Sequence, residues 1–203
     1  MRFSRDARYC MTLSEHPKRK SRLKPPGGAM RELFVILGLF AAIFSAAWWM
    51  PRAWYRALLY PGRRPNALSR VLNSANAWFS GRGYGPAFLV TLETRGRRSG
   101  RPLRNPMVAA EVGGARYLVS MLGPKADWVL NARAAGGDAV LCHGATEHIR
   151  LEEVPPAERA PILKAYLRRA PGGRPHFDIA PDAPLEEFEK VAPLYPVFRI
   201  CPR

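Results

Sequence analysis

The sequence predicts a mainly β (α+β) domain built as a small antiparallel β-barrel with peripheral helices. From Ala87 onward, short apolar runs rich in β-branched residues alternate with turn residues. Gly113-Gly114 joins two of these runs at the length of a tight hairpin. The chain has neither a GxGxxG motif after a strand nor a GxxxxGKS/T motif, which disfavours a parallel nucleotide-binding sheet.

The predicted strands are short runs with strand-type composition. They cover residues 88–92, 107–112, 117–122, 140–142, 147–151 and 197–200. The segment His143-Gly-Ala-Thr146 joins the fourth and fifth runs as a second hairpin. Because consecutive strands are joined by hairpins, we expect an antiparallel sheet.

Three helices are predicted between these strands. The first covers residues 128–134, with Asp127 as its N-cap and Gly136-Gly137 ending it. The second covers residues 155–169 and has an apolar face at helical spacing. The third is a short acidic helix over residues 185–191, and residues 172–184 are predicted to form an irregular loop.

The front of the chain is predicted to be organised differently. Residues 1–32 are expected to form a disordered basic tail, residues 33–50 a membrane-anchor helix, residues 51–84 an amphipathic, basic connector and residues 85–203 the barrel domain. The 18 residues of the apolar run 33–50 carry no charge, and as a helix they would span about 27 Å, close to a bilayer core. A signal peptide and a hydrophobic helix packed on the domain remain alternatives for this segment.

The flanking charges bear on orientation. Residues 1–32 carry nine Lys/Arg and residues 51–70 carry five, so the front end would face the cytoplasm if the whole chain is translated. If translation begins at Met30, the front flank keeps only Arg31 and Glu32, and the bias reverses. With translation from Met30, we expect a cell-membrane protein whose catalytic domain faces the cytoplasm.

The net charge of +16 is unevenly distributed. Residues 1–84 hold 15 Lys/Arg against 3 Asp/Glu, whereas residues 85–203 hold 17 against 13. Five arginines of the second part lie within residues 95–104. The folded part is thus only mildly basic, with its charge in one place, which disfavours nucleic acid as a partner.

Residues 94–106, Thr-Arg-Gly-Arg-Arg-Ser-Gly-Arg-Pro-Leu-Arg-Asn-Pro, predict a pocket for an anionic ligand. Gly96 and Gly100 allow backbone N–H groups to converge on a phosphate, and arginines and Ser99 add donors. A solvated basic hairpin loop is the alternative. We expect no metal site, because the three cysteines are far apart and His143 and His148 have no further ligand at suitable spacing.

This stretch, the following Gly-Gly hairpin and the later motif Asp127-Trp128-x-x-Asn131-x-Arg133-Ala134 resemble the deazaflavin-dependent nitroreductase and quinone reductase family. The similarity runs from about Ala87 to Ile200. It implies a split β-barrel of the FMN-binding-like type that binds coenzyme F420. The residues that the resemblance assigns to the cofactor are Arg97, Arg98, Ser99, Gly100, Arg104, Ser120, Met121, Leu122, Trp128, Asn131 and Arg133, with Arg101 toward its tail.

The resemblance also implies the reaction, a hydride transfer from reduced F420 to a quinone or a nitro compound. The proton could come from water or from the candidate donors Tyr166, His176 and Tyr195, among which the sequence does not choose. Residues 171–177 differ from the tyrosine-rich late segment of the nitroreductase branch, which favours quinone. The alternatives are an FMN-binding flavin reductase on the same barrel and a non-enzymatic binder of F420, anionic lipid or nucleic acid. A homodimer is left open.

Overall fold

The structure, a computed structural model, describes residues 51–203. The predicted tail (1–32) and anchor helix (33–50) lie outside the described residues. None of the helices in the described part is long and apolar enough to cross a bilayer. Residues 56–203 form one compact unit.

The described elements are given in chain order. The helices are α1 (Arg52–Leu59), α2 (Ala67–Gly81), α3 (Asp127–Ala134), α4 (Arg159–Arg169) and α5 (Leu185–Val191). The strands are β1 (Leu89–Arg95), β2 (Pro102–Val112), β3 (Ala115–Val119), β4 (Asp138–His143), β5 (Ala145–Glu153) and β6 (Val197–Pro202). Short 3-10 turns cover Pro61–Arg63, Pro156–Glu158, Pro171–His176 and Ala192–Leu194.

The six strands close into a barrel in the order β1-β2-β3-β6-β5-β4, and every pair of neighbours is antiparallel. The predicted antiparallel barrel with peripheral helices is therefore confirmed. Because neighbours alternate in direction, β1, β3 and β5 end at the same mouth where β2, β4 and β6 begin. We call this the α3 mouth, because α3 connects β3 to β4 there.

Helix α3 packs into the barrel core. Its Val129 and Ala132 are fully buried among barrel residues such as Leu92 and Leu118. The ring of Trp128 meets the ring of Phe198 edge-on, with centroids 5.3 Å apart. A second core lies between the barrel and α4 and α5, with Leu163, Leu167, Phe177 and Phe188 as its large members.

Several predicted boundaries were wrong. Strand β2 begins at Pro102 rather than at Met107, because its first half pairs with β1 alone and its pairing with β3 starts only at Ala109. A proline lacks an N–H, and a strand half with one neighbour does not require every N–H. Strand β3 ends at Val119 rather than at residue 122.

Four further differences concern the helices and turns. The N-cap of α3 is Ala126 with no side-chain cap, so Asp127 is the first helical residue rather than the cap. Helix α4 begins at Arg159, preceded by a 3-10 turn. The predicted loop 172–184 lies partly in another 3-10 turn, Pro171–His176. The basic connector contains α1 and α2, which the sequence analysis did not separate.

The turn from α3 to β4 requires glycine at two positions for different reasons. Gly136 and Gly137 have φ of +63° and +89°. A Cβ on Gly136 would meet nothing within 4 Å, whereas a Cβ on Gly137 would overlap the carbonyl oxygen of Leu151. Gly137 also accepts a hydrogen bond from the Leu151 N–H at 2.8 Å.

We therefore expect Gly137→Ala to destabilise the protein far more than Gly136→Ala. The Gly136 variant should lower the free energy of unfolding by about 1–2 kcal/mol, the cost of a left-handed backbone at a residue with a Cβ. The Gly137 variant adds overpacking against β5, worth roughly another 1–3 kcal/mol. Urea unfolding of both variants measures the difference. Equal losses would contradict the close approach of α3's end to β5.

Candidate functional site

The β1–β2 loop at the α3 mouth is folded by its own backbone. Gly96 N–H donates to the Arg101 carbonyl at 2.8 Å, and Gly100 N–H donates to the Gly96 carbonyl at 2.7 Å. Gly100 has φ of +67°, which favours glycine. Ser99 Oγ accepts a hydrogen bond from the Arg101 N–H at 3.3 Å. These contacts form a tight turn that carries arginines at both ends.

The five arginines of this stretch differ in their partners. The Arg97 guanidinium contacts Asp127 Oδ1 at 3.1 Å, and Arg104 Nε contacts Glu93 Oε2 at 2.9 Å across β1 and β2. The side chains of Arg95, Arg98 and Arg101 make no hydrogen bond or ion pair with the described residues. All three are exposed. The loop thus presents three guanidinium groups whose charge no described carboxylate neutralises.

Asn131 of α3 joins the loop to the helix. Its Oδ1 accepts hydrogen bonds from the Arg97 N–H at 3.2 Å and from the Arg97 guanidinium at 3.0 Å. The side chain is 1% exposed, and its Nδ2 has no hydrogen-bond partner in the described part of the chain. Buried amide nitrogens are nearly always paired, so this donor is available to a ligand seated against the loop.

The turn after β3 lies at the same mouth. Ser120 is buried, and its hydroxyl donates to the Gly123 carbonyl at 2.7 Å. Met121 packs against the second core, where the Tyr166 hydroxyl donates to Met121 Sδ at 3.8 Å. Leu122 packs against the barrel core instead. The turn therefore separates the two cores, with neighbouring side chains on opposite sides.

The other two assigned residues of α3 have structural contacts. Trp128 is 8% exposed and lies in the barrel core. Arg133 makes two hydrogen bonds to Glu153, at 2.9 and 2.8 Å. The buried Arg159 also contacts Glu153, at 3.1 Å. The hydrogen bond from Arg133 lowers the pKa of the Glu153 carboxyl, with Arg159 adding to it. Arg133 thus ties α3 to the end of β5.

The three candidate proton donors lie in or beside the second core, and all are buried. The Tyr195 hydroxyl donates to the His176 carbonyl at 2.8 Å, and its ring stacks on Phe177 with centroids 4.0 Å apart. Burial raises the pKa of Tyr195. The His176 ring packs edge-on against Tyr60, and burial, with the nearby Arg56 and Arg63, lowers the pKa of His176 to about 4.

The structure thus brings Arg97, Arg98, Ser99, Gly100 and Asn131 to one mouth of the barrel, together with Ser120, Met121 and Leu122. Sequence reasoning did not single out Arg95 beyond its charge, nor Thr94, whose buried Oγ1 has no partner in the described part of the chain. The position of Thr94 next to the arginines was the one sequence feature that could have indicated it as a site residue. Residues 51–203 hold no group of three side chains suited to a metal.

Comparison with known proteins identifies one family. Residues 71–174 match the family model described as F420H(2)-dependent quinone reductase. No curated protein matches the chain in sequence.

Solved structures resemble parts of the chain at low identity. An F420-H2 dependent reductase (FDR-A) is 19% identical, with a TM-score of 0.40 over 56% of this chain and 94% of that one. A conserved hypothetical protein from Mycobacterium tuberculosis is 17% identical, with a TM-score of 0.44 over 64% and 79% of the two chains. A heme binding protein from Mycobacterium smegmatis is 17% identical, with a TM-score of 0.40 over 60% and 49%.

The lowered pKa of His176 predicts a specific loss of stability in acid. Well above pH 6.5 the imidazole is neutral in both states, so it contributes no pH dependence there. As the pH falls from 6.5 to about 4, the unfolded chain takes up a proton that the folded protein excludes. The free energy of unfolding should fall by roughly 3 kcal/mol over this window, on top of other groups. Urea unfolding between pH 7.5 and 4 of the wild type and His176→Gln measures it. Identical pH profiles would contradict the burial of a neutral imidazole.

Proposed function

The chain belongs to the F420H(2)-dependent quinone reductase family, whose cofactor is coenzyme F420, and we propose that it reduces a quinone with F420H2 at the cell membrane. The observation that carries this proposal is the α3 mouth, where the guanidiniums of Arg95, Arg98 and Arg101, which pair with none of residues 51–203, flank a tight turn. An arginine-rich turn next to a buried amide donor is the donor set that a phosphate-bearing, polyanionic cofactor requires.

The residues of the α3 mouth fit such a cofactor. Arg98 and Ser99 would hold its phosphate, and Arg101 the acidic tail. Asn131 offers Nδ2 as a buried donor while its Oδ1 holds the loop through Arg97. Arg97 and Arg104 are already paired with Asp127 and Glu93, so we assign them to positioning the loop rather than to neutralising the ligand.

When bound, reduced F420 supplies a hydride to the acceptor. The chain's own contribution is to orient the acceptor, exclude water and hold a proton. Among the three candidate donors, Tyr166 is the one whose hydroxyl contacts the β3 turn, at Met121. The Tyr195 hydroxyl is committed to the His176 carbonyl. His176 is neutral at physiological pH, since its pKa lies near 4. We therefore propose Tyr166 as the proton donor.

Quinone is the acceptor that we favour, and a nitro compound is the second class. In support, residues 171–176 form a 3-10 turn with no tyrosine, where the tyrosine-rich late segment of the resembling nitroreductases would stand. We further propose that residues 33–50 anchor the protein in the membrane with the barrel on the cytoplasmic side. A lipid-soluble quinone would then meet the enzyme at the bilayer.

Titration of the purified full-length chain with F420 and with FMN tests the cofactor. Tight binding of F420 and weak binding of FMN support the proposal, and the reverse would make the protein a flavin enzyme on the same barrel. F420H2 that binds but stays reduced across a panel of quinones and nitroaromatics would point to a carrier. Each outcome is read from the absorbance of the cofactor.

Charge reversal at Arg98 should weaken F420 binding. We expect Arg98→Glu to raise the dissociation constant at least about tenfold, since one charge-assisted hydrogen bond is worth about 1.5–3 kcal/mol. Arg168→Glu is the matched control, because Arg168 is also exposed and its side chain has no ion pair in the described part of the chain. Fluorescence titration with F420 measures both. If both variants weakened F420 binding equally, the change in the protein's net charge would explain the loss, and Arg98 would not contact the cofactor.

Tyr166→Phe should separate binding from turnover. Removing a general acid slows the proton-dependent step by roughly 10²-fold or more, while the affinity for F420 should not change. Tyr195→Phe is the control, because it also removes one buried hydroxyl but from a hydrogen bond to the His176 carbonyl. Steady-state quinone reduction and its pH profile measure the two variants. Unchanged kcat in Tyr166→Phe would exclude Tyr166 as the donor.

A further inference from the structure

Helix α2 packs on the barrel with its polar face. Ser69 and Ser80 are 1% and 5% exposed, whereas Val71 and Trp78 are 67% and 52% exposed. The Ser80 hydroxyl lies 2.9 Å from Thr91 Oγ1, which itself donates to the Ala77 carbonyl at 2.6 Å. A water-soluble surface helix normally buries its apolar stripe. In α2 the hydrogen bonds to β1 select the opposite face for burial.

The exposed side of the helix forms one continuous surface, which we call the apolar stripe. It consists of Leu68, Val71, Trp78 and Phe79 of α2 and the adjacent Tyr84. The Tyr84 ring packs against both Trp78 and Phe79, with centroids 6.4 and 5.0 Å apart. The spacing of the α2 members follows successive helical turns, so they share one side of the helix.

The sequence on either side of the apolar stripe carries charge of one sign. Residues 63–92 contain four arginines and no Asp or Glu. Arg82 lies over the Trp78 ring, 3.9 Å from its centroid, and Arg70 lies one residue before Val71. Tryptophan and tyrosine beside arginine are the side chains that favour the boundary between lipid and water. The arginines are complementary to anionic headgroups.

We propose that the apolar stripe lies on the surface of an anionic lipid bilayer, with α2 parallel to the membrane plane. The uncharged residues 33–50 are separated from α2 by 16 residues, so a second membrane contact there is consistent with the sequence. An interfacial helix of this kind buries its apolar side among the headgroups while basic residues bind the lipid phosphates. The inference goes beyond the proposed reaction and does not depend on F420 binding.

Hydroxyl-radical footprinting of the full-length chain tests the proposal. Trypsin cleaves after Arg70 and Arg82, so residues 71–82 form a single peptide whose oxidation reports on Val71, Trp78 and Phe79. Vesicles of phosphatidylglycerol and phosphatidylcholine should lower its oxidation several-fold, and pure phosphatidylcholine should lower it less. Leu185 and Leu194, which are also exposed, are internal controls and should be oxidised equally in all samples.

Other results would overturn the proposal. Unchanged oxidation of residues 71–82 on vesicles that carry the protein would mean that another segment alone binds lipid. Protection without vesicles would mean that the apolar stripe is covered by protein: by a second copy if protection grows with concentration, by the same chain if it does not. None of these readouts requires cofactor or activity, so they are independent of the proposed reaction.

A matched pair of variants tests the same contact. Val71→Ser with Trp78→Ser should lower the vesicle-dependent protection of Phe79 several-fold, since two apolar side chains no longer hold the helix against the lipid. Leu185→Ser with Leu194→Ser removes two exposed apolar side chains elsewhere and should leave the protection of Phe79 unchanged. Equal protection of Phe79 in the two double variants would contradict the proposal. Urea unfolding verifies that both variants are folded.

Discussion

The structure depends on the closure of one barrel mouth by α3. Val129 and Ala132 fill the core between strands, so the helix cannot shift without opening a cavity there. Two ion pairs then connect α3 to its surroundings. Asp127 of α3 pairs with Arg97 of the β1–β2 loop, and Arg133 of α3 pairs with Glu153 of β5. Because Asn131 Oδ1 accepts from both the backbone and the side chain of Arg97, the loop takes its position from the helix. The candidate anion site is therefore built on a buried element.

The five arginines of the loop have different roles, although they look alike in sequence. Register pairs Glu93 with Arg104 on adjacent strands, where opposite charges directly across a ladder stabilise it. Arg97 is drawn into the contact with α3. Only the remaining three leave their charge unneutralised by the described residues. Partner choice, set by the fold, thus separates arginines that hold the loop from arginines that can hold a ligand.

The sequence predicted the hairpins and the barrel, because short β-branched apolar runs and glycine turns act locally. The six strands and their antiparallel pairing follow from them, whereas the position of β6 between β3 and β5 was not predicted. The sequence did not predict that β2 extends back to Pro102. Prolines argue against a strand, and the sequence does not show that this half of β2 has a neighbouring strand on one side only. The role of Asp127 was also missed. A carboxylate before a helix suggests a cap, and its partner Arg97 lies 30 residues away in the chain. Long-range partners of this kind have no local sequence signal.

Helix α2 shows most clearly what periodicity does not determine. An amphipathic pattern indicates two faces, but the pattern does not say which face is buried. Here the Thr91 hydroxyl on β1 donates to the Ala77 carbonyl and lies 2.9 Å from the Ser80 hydroxyl. A Cβ on Gly81 would come within 3.2 Å of Thr91 Oγ1. Larger apolar side chains on this face would keep the helix away from the strand and break these buried hydrogen bonds, which would leave buried polar groups unpaired. The small and polar face is inside because it hydrogen-bonds Thr91, and the exposed apolar side follows from that choice.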